Sequence, residues 1–249
     1  MSANSSERKK NNLYLVLAGI FISNAILAEL VGVKIFSAEE IFNLPPANIT
    51  VLRGFNLSFN LSAGVIIWPV VFITTDIINE YFGKPGVKKI TFLTVALIAY
   101  LFIIIFFVTK LPPANFWLEV NKSQPGESDF NINQAFGIVY LQGLGIIIGS
   151  LTAFLIGQLL DVLVFQRLKK ITGEGKIWLR ATGSTLVSQL IDSFVVLFIA
   201  FFLFGNWTLK QVMAVGIINY MYKFVIAIAL TPLLYVAHAI IDKYLGKDF

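Results

Sequence analysis

Apolar residues run along this chain in six blocks of about twenty, at about 13–33, 61–81, 89–109, 143–167, 180–204 and 214–240. Each is long enough to cross the roughly 30 Å hydrocarbon core of a bilayer as a helix. None alternates apolar and polar residues as a barrel strand would, and an open strand cannot satisfy its backbone in lipid. The pattern therefore predicts an all-α polytopic membrane protein with six transmembrane helices in one bundle. Residues 1–12 form a polar N-terminus, 13–242 the transmembrane domain and 243–249 a C-terminal tail.

Composition agrees. Of 249 residues 57% are hydrophobic and 13% charged, where a soluble domain carries about a quarter charged residues. The first apolar block is too long for a signal-peptide core and reads as a retained span. There is no cysteine and a single histidine, His238, so neither a thiolate site nor a His-rich metal site is expected, and no cofactor is implied.

The net charge of +5 is an orientation signal. With the N-terminus inside, the cytoplasmic segments carry Arg8, Lys9, Lys10, Lys84, Lys88, Lys89, Arg167, Lys169, Lys170, Lys176, Arg180, Lys243 and Lys247, which is 13 of the 19 cations. The outer segments carry five: Lys34, Arg53, Lys110, Lys122 and Lys210. Short Lys- and Arg-rich loops stay cytoplasmic, so both termini are placed inside and a nucleic-acid partner is not expected. Two longer outer loops, about 34–60 and 110–133, share the string LPPAN. FNINQAFGIVYLQG reads as a short helix at the outer surface, and WTLKQVMAV as an interfacial lead-in to span six.

Polar groups inside the spans are the departure from this pattern. Glu29, Asp76, Glu80, Asp161, Asp192 and Lys223 fall in or at the edges of the apolar blocks. A charge at mid-bilayer costs roughly 2.5–3.5 kcal/mol on insertion scales, so such groups face the bundle interior, pair, or meet water or ligand. Their spacing follows steps of three and four, the period of one helix face. Span two carries Trp68, Phe72, Asp76, Asn79 and Glu80; span four Ser150, Phe154, Gln158 and Asp161; span five Thr185, Ser188, Gln189 and Asp192. Span six places Asn219 one turn before Lys223, and span one has Asn24 near mid-membrane.

A carboxylate accepts paired donors of the kind on a guanine-type edge, Gln and Asn read a neighbouring carbonyl or ring nitrogen, and Trp68 or Phe72 can stack on a flat ring. The expected binding residues are Asn24, Trp68, Phe72, Asp76, Gln158, Ser188, Gln189, Asp192 and Lys223, around a neutral, donor-rich heterocycle. Each has a plainer reading. Glu80 would be solvated at the cytoplasmic end, Asp161 would pair with Arg167 or Lys169, and Glu29 with Lys34. Lys223 would be a counter-ion to Asp192, Trp68 packing, and His238 interfacial. Pro69 and Pro232 each remove a helix donor and are expected to kink spans two and six beside a cavity, as gates. The glycines of GIIIG (Gly145–Gly149), with Gly157, make a small-residue face for close helix contact within one copy or between two.

AGVIIWPVVFITTDIINEYFGK (Ala63–Lys84) resembles the proline, Thr-Asp and Asn-Glu-x-x-Gly signature of the queuosine precursor transporter family, a vitamin-uptake-like group. IGQLLDVLVFQRLKKITGEGKIWLRATGSTLVSQLIDS (Ile156–Ser193) is similar to its second signature at Gln158, Asp161, Phe165, Lys169, Trp178, Arg180, Ser184, Ser188, Gln189 and Asp192. SNAILAE and NYMYKFVIAIALTPLLY resemble the flanking motifs. The chain departs from the family pattern in having Glu29 where Asn-Lys is common, Trp68 where Phe is common, and Lys88 and Lys89 where an Arg is common. The resemblance implies import of deazaguanines, either the cyano or aminomethyl precursors of queuosine or queuine itself. It also implies a multi-pass protein of the bacterial inner membrane. No phosphate-binding glycine loop is present, so nucleotide hydrolysis would need a separate ATPase partner. The alternatives are a substrate-binding subunit of such a multi-component system and an integral-membrane enzyme using its carboxylates. A homodimer is a further expectation, and catalysis is not expected.

Overall fold

The computed structural model describes residues 2–51, 54–122, 130–141, 144–173 and 176–246. Arg53 and Lys247, two cations used above for orientation, lie outside the described residues, as do the last two residues of FNINQAFGIVYLQG.

Helix α1 (Ser2–Val31) begins well before its apolar block, so the polar N-terminus is helical too. It leads into a loop that contains β1 (Ile35–Ser37), α2 (Ala38–Ile41), β2 (Ile49–Val51), β3 (Phe55–Leu57) and β4 (Asn60–Ser62). β1 pairs antiparallel with β4, and β2 with β3. These two small ladders follow α1, with β4 reaching two residues into the second apolar block, which is therefore extended rather than helical at Leu61 and Ser62. Glu39 ties the loop together. Its carboxylate accepts from the N–H of Phe59 (2.8 Å) and of Ala47 (3.2 Å), and from the Ser37 hydroxyl (3.2 Å). The Phe59 N–H above all holds the Glu39 carboxyl below its ordinary value of 4.5. A carboxyl depressed in the folded state stabilises above its unfolded value and stops doing so as pH falls through the folded one. Glu39→Ala is therefore expected to speed proteolysis within 35–62 at neutral pH, and acid well below pH 4.5 is expected to do the same to the unmodified chain.

A short 3₁₀ turn (Ala63–Ile66) precedes α3 (Trp68–Val108). At 1.5 Å per residue, 41 unbroken residues would span about 60 Å, twice the hydrocarbon core. The helix breaks at Gly83, whose φ of 64° and ψ of −172° are not helical, and glycine reaches this conformation without a Cβ clash. Pro85 lies in the first turn of the second arm, where a missing N–H costs little. Spans two and three are thus the two arms of α3.

α4 (Asn115–Val120) and α5 (Ile132–Tyr140) follow, the latter capped by the Asn131 side chain. α6 (Leu144–Thr172) and α7 (Ile177–Leu197) come next, α7 running into a π-helical segment, Phe198–Leu203. α8 (Leu209–Ala229) starts at a capping box in which Thr208 and Gln211 satisfy each other's backbone N–H. The lead-in expected from WTLKQVMAV is therefore the first turn of α8 itself. α9 (Thr231–Leu245) ends on Gly246 in the left-handed region.

The prolines act at helix starts. Pro69 lies in the first turn of α3 rather than in the middle of a span. The hydrophobic run continues through the loop before it, which is why the two could not be told apart by pattern. Pro232 lies in the first turn of α9 and divides the expected sixth span at Leu230.

Cross-helix contacts give the directions. Tyr14 donates to the Gly86 carbonyl at 2.8 Å, and Ser62 to the Gly32 carbonyl at 2.7 Å, so α1 runs antiparallel to the first arm of α3. Thr75 meets Gln158 and Lys169 meets Glu80, so that arm runs parallel to α6. Ser188 meets Asp161, so α7 runs back along α6. Thr182 meets Thr231 at 2.9 Å and Lys223 meets Asp192, so α8 returns along α7. Lys9 donates to the Tyr244 carbonyl at 3.2 Å, which puts both termini at one end of the bundle. Among the described residues, five segments are long and apolar enough to cross a membrane: Ser6–Val31, Trp68–Val108, Ile132–Thr172, which takes in α5 and α6, Ile177–Leu203 and Leu209–Ala229. Their outward faces carry exposed Leu15, Phe107, Leu163, Val187 and Val225, the surface lipid requires.

Glycine sets the closest contact in the bundle. A Cβ on Gly149 would come within 3.1 Å of the Val196 carbonyl and 3.2 Å of the Ala200 nitrogen, and one on Gly145 within 2.4 Å of the Phe204 Cβ. The small-residue face of α6 is therefore spent inside one copy, against α7 and its π-helical extension. Gly149→Leu is expected to lower the thermal midpoint of the purified protein, since neighbouring backbone cannot yield; overpacking typically costs about 1–3 kcal/mol.

Candidate functional site

Two adjoining hollows lie between the first arm of α3, α6, α7 and α8. The larger, about 590 Å³ and open on one side, is bounded by Trp68, Phe72 and Asp76 on α3, Thr185 and Gln189 on α7, and Tyr222 and Lys223 on α8, and reaches Leu234 on α9. The smaller, about 350 Å³, is bounded by Phe154, Gln158 and Asp161 on α6 and Ser188 and Asp192 on α7. Trp68, Phe72, Gln189 and Lys223 border both.

Helical periodicity built this arrangement. Trp68, Phe72 and Asp76 are spaced by four, so one face of α3 presents an aromatic wall followed by a carboxylate. The Trp68 and Phe72 rings are stacked, with centroids 5.9 Å apart and planes 15° apart, and Phe154 packs on Trp68 at 5.5 Å. Across from them, Ser188, Gln189 and Asp192 bring polar groups from α7.

Eight of the nine residues expected from sequence border these hollows. Asn24 does not. It is half-buried on α1, and its amide donates to the Ile20 carbonyl one turn back at 2.8 Å. Sequence depth placed it at mid-membrane, but its amide is spent on its own helix. Gln158 accepts from Thr75 at 3.2 Å. Asp192 is paired with Lys223, as the counter-ion reading held, so these two neutralise each other at the junction of the hollows.

Asp161 belongs to the site as well. It is 5% exposed, accepts from Ser188 at 3.2 Å and has its second oxygen without a partner. It does not pair with Arg167 or Lys169. The stripe Phe154, Gln158, Asp161 carried the signal for it. Thr185 and Tyr222 also border the larger hollow, and no sequence signal separated them from ordinary packing.

The remaining acids are accounted for elsewhere. Glu29 accepts from Ser150 at 2.9 Å. Glu80 is not solvated: Arg180 reaches both of its oxygens at 2.9 Å, and Lys169 adds a third contact at 2.9 Å. Gln166 donates to the Asn79 side chain at 2.6 Å. His238 is buried rather than interfacial; Tyr81 shares a hydrogen bond with its Nδ1 (2.9 Å) and donates to Asp242 (2.8 Å). This polar layer closes the bundle at the end that carries the termini.

The hollows offer acceptors. Asp76 Oδ1, Asp161 Oδ2 and Gln189 Oε1 are buried with no hydrogen-bond partner. An unmade buried hydrogen bond costs about 1–3 kcal/mol, so three such atoms beside a hollow mark a place where a ligand's donors lower the free energy. Flat aromatic rings beside them suit a planar ligand that carries several N–H groups. Among the described residues, no group of three or more His, Asp or Glu is arranged to hold a metal ion.

Comparison with known proteins gives a consistent picture. Residues 62–237 match the family described as "Putative vitamin uptake transporter". A "Probable queuosine precursor transporter" of Bacillus subtilis is 30% identical over 203 residues, covering 79% of this chain and 80% of that protein. The protein of the same name from Haemophilus influenzae is 27% identical over 187 residues, covering 73% and 70%. The "Queuosine precursor transporter" of Escherichia coli is 28% identical over 178 residues, covering 69% and 70%. No solved structure matches.

Proposed function

Because the chain belongs to the vitamin uptake transporter family, we propose that, like the queuosine precursor transporters it resembles, it carries queuosine precursors across a bacterial inner membrane. α1, the two arms of α3, α6, α7 and α8 are the six crossings, and both termini are cytoplasmic. The side-by-side termini and the cations gathered near them support that orientation.

The substrate is a deazaguanine: a cyano or aminomethyl precursor, or queuine. The observation that carries this reading is the set of unpartnered buried oxygens, on Asp76, Asp161 and Gln189, beside the Trp68–Phe72 wall. A guanine-type edge supplies an N–H and an NH₂ to such oxygens and presents one carbonyl that a donor can reach. The ring stacks on Trp68 or Phe72, a contact worth about 1–3 kcal/mol for bases on aromatic side chains. Ser188 and Gln158 bound the site, and the neutralised Asp192–Lys223 pair suits the uncharged heterocycle that all three substrates share. Asn24 has no place in this arrangement.

The test is uptake of labelled cyano-deazaguanine into liposomes holding the purified chain alone. Asp76→Ala with Asp192→Ala together are expected to abolish it; uptake that persists in the double variant would reject the site. Accumulation only when a co-purified ATPase is present would instead make the chain a substrate-binding subunit.

A further inference from the structure

Most of the acids within the helices have partners of opposite charge or hydroxyl donors. Glu80 holds Arg180 and Lys169, Asp192 holds Lys223, and Glu29 accepts from Ser150. Among the described residues, Asp76 has no such partner. It is 6% exposed, borders the larger hollow, and its Oδ1 has no hydrogen-bond partner. Asp161, on α6, borders the adjoining hollow, and Glu80 lies one turn further along its own helix. Asp161 differs in having a donor: the Ser188 hydroxyl donates to it at 3.2 Å, and a hydroxyl donor favours a carboxylate anion.

We propose that Asp76 is a proton-binding site, and that a proton and the base occupy the hollow together. An ionised carboxylate in a lipid-shielded site, with no ion pair of its own and a second carboxylate in the adjoining hollow, is costly, and taking a proton removes the cost. It also changes what Asp76 can do. A carboxyl O–H donates, and the guanine-type edge presents one acceptor, its ring carbonyl, at one end, followed by the ring N–H and the exocyclic NH₂. Protonated Asp76 donates to that carbonyl, while Asp161 and Gln189 accept from the N–H groups. One acid is read as a donor and its neighbour as an acceptor, and the difference follows from their surroundings. Proton and base then raise each other's affinity by the same factor. The inference rests on the proposed substrate class and goes beyond it by naming the co-transported ion and its residue.

The other titratable groups near this pair leave the assignment in place. From α1 comes Glu29, bonded to Ser150; from α6, Lys169, bonded to Glu80. From α7 come Arg180, on Glu80, and Asp192, on Lys223 of α8; Tyr222 of α8 borders the same hollow. Tyr81 of α3 meets His238 and Asp242 of α9. His238 is the rival proton acceptor, because its Nε2 is buried without a partner.

The test is calorimetric binding of cyano-deazaguanine to the purified full-length protein, in buffers of differing ionisation enthalpy, from about pH 6 to about pH 9. The cyano precursor carries no amine whose own titration would confuse the count. The unmodified chain is expected to take up close to one proton per base, with affinity falling about tenfold per pH unit where the uptake is complete. Asp76→Asn, whose amide still donates to the carbonyl, is expected to bind without proton uptake and without that slope. His238→Gln is expected to keep the uptake, and Asp161→Asn to move the profile to lower pH. Binding by the unmodified chain with no proton uptake, or uptake that survives in Asp76→Asn, would overturn the proposal while leaving the substrate assignment standing. If no deazaguanine binds at all, the substrate assignment fails and this proposal falls with it.

Discussion

Arg180→Ala is expected to lower the thermal midpoint of the purified protein by roughly 6–12 °C, on the scale of about 3 kcal/mol for breaking a buried ion pair and about 2–4 °C per kcal/mol for a chain of this size. Arg180 is 2% exposed. Its Nε and Nη2 each meet a different oxygen of Glu80 at 2.9 Å, its Nη1 donates to the Gly173 carbonyl at 2.9 Å, and its guanidinium lies over the Phe165 ring at 6.0 Å. One side chain thereby joins α3, α7 and the turn after α6. Truncation leaves Glu80 with Lys169 alone, in a site where water does not replace the lost donors. Arg180→Lys is expected to recover little, because an ammonium cannot reproduce the two-pronged geometry. A midpoint within about 2 °C of the unmodified protein would show that Lys169 and water take over, and that this layer does not hold the terminal end closed.

The second large effect concerns Lys223 and Asp192, which are about one-fifth exposed at the junction of the hollows. Lys223→Ala strands the carboxylate of Asp192, and Asp192→Asn strands the ammonium; each single change is expected to cut uptake of the base about a hundredfold, which corresponds to about 2.7 kcal/mol. The double variant removes both charges together and is expected to recover at least tenfold over either single one, since the penalty lies mainly in the unpaired charge left behind. Additive losses in the double variant would mean that each side chain contacts the base on its own, and that the pair is part of the reading surface.

Much of this architecture was legible before any coordinates, for a physical reason. Membrane helices must be long and apolar, so the six blocks show themselves, and polar groups that cannot face lipid fall on stripes of three-and-four spacing. Trp68, Phe72, Asp76, Gln158, Ser188, Gln189, Asp192 and Lys223 were found that way, and all of them border the hollows. What periodicity cannot give is the partner on another helix. Arg180 lies 100 residues from Glu80, and nothing local to either pairs them, so Glu80 read as a solvated end. Asn24 shows the converse: it lies within an apolar span, but its amide turns back onto the Ile20 carbonyl. The prolines misled because an apolar loop and an apolar helix look alike in composition. Pro69 and Pro232 each sit in a first helical turn, which only the hydrogen-bond ladder distinguishes from a kink.

The central claim is that buried acceptors from separate helices read the donor edge of a flat base. Its most direct test compares cyano-deazaguanine with the same base methylated on its ring N–H and exocyclic amine, by thermal stabilisation of the purified chain. A ligand held only by the folded state at a hundred times its dissociation constant adds about 2.7 kcal/mol. The account predicts a clear upward shift with the unmodified base, none with the methylated one, and loss of the shift in Gln189→Ala. Equal stabilisation by both bases, or by neither, would contradict it.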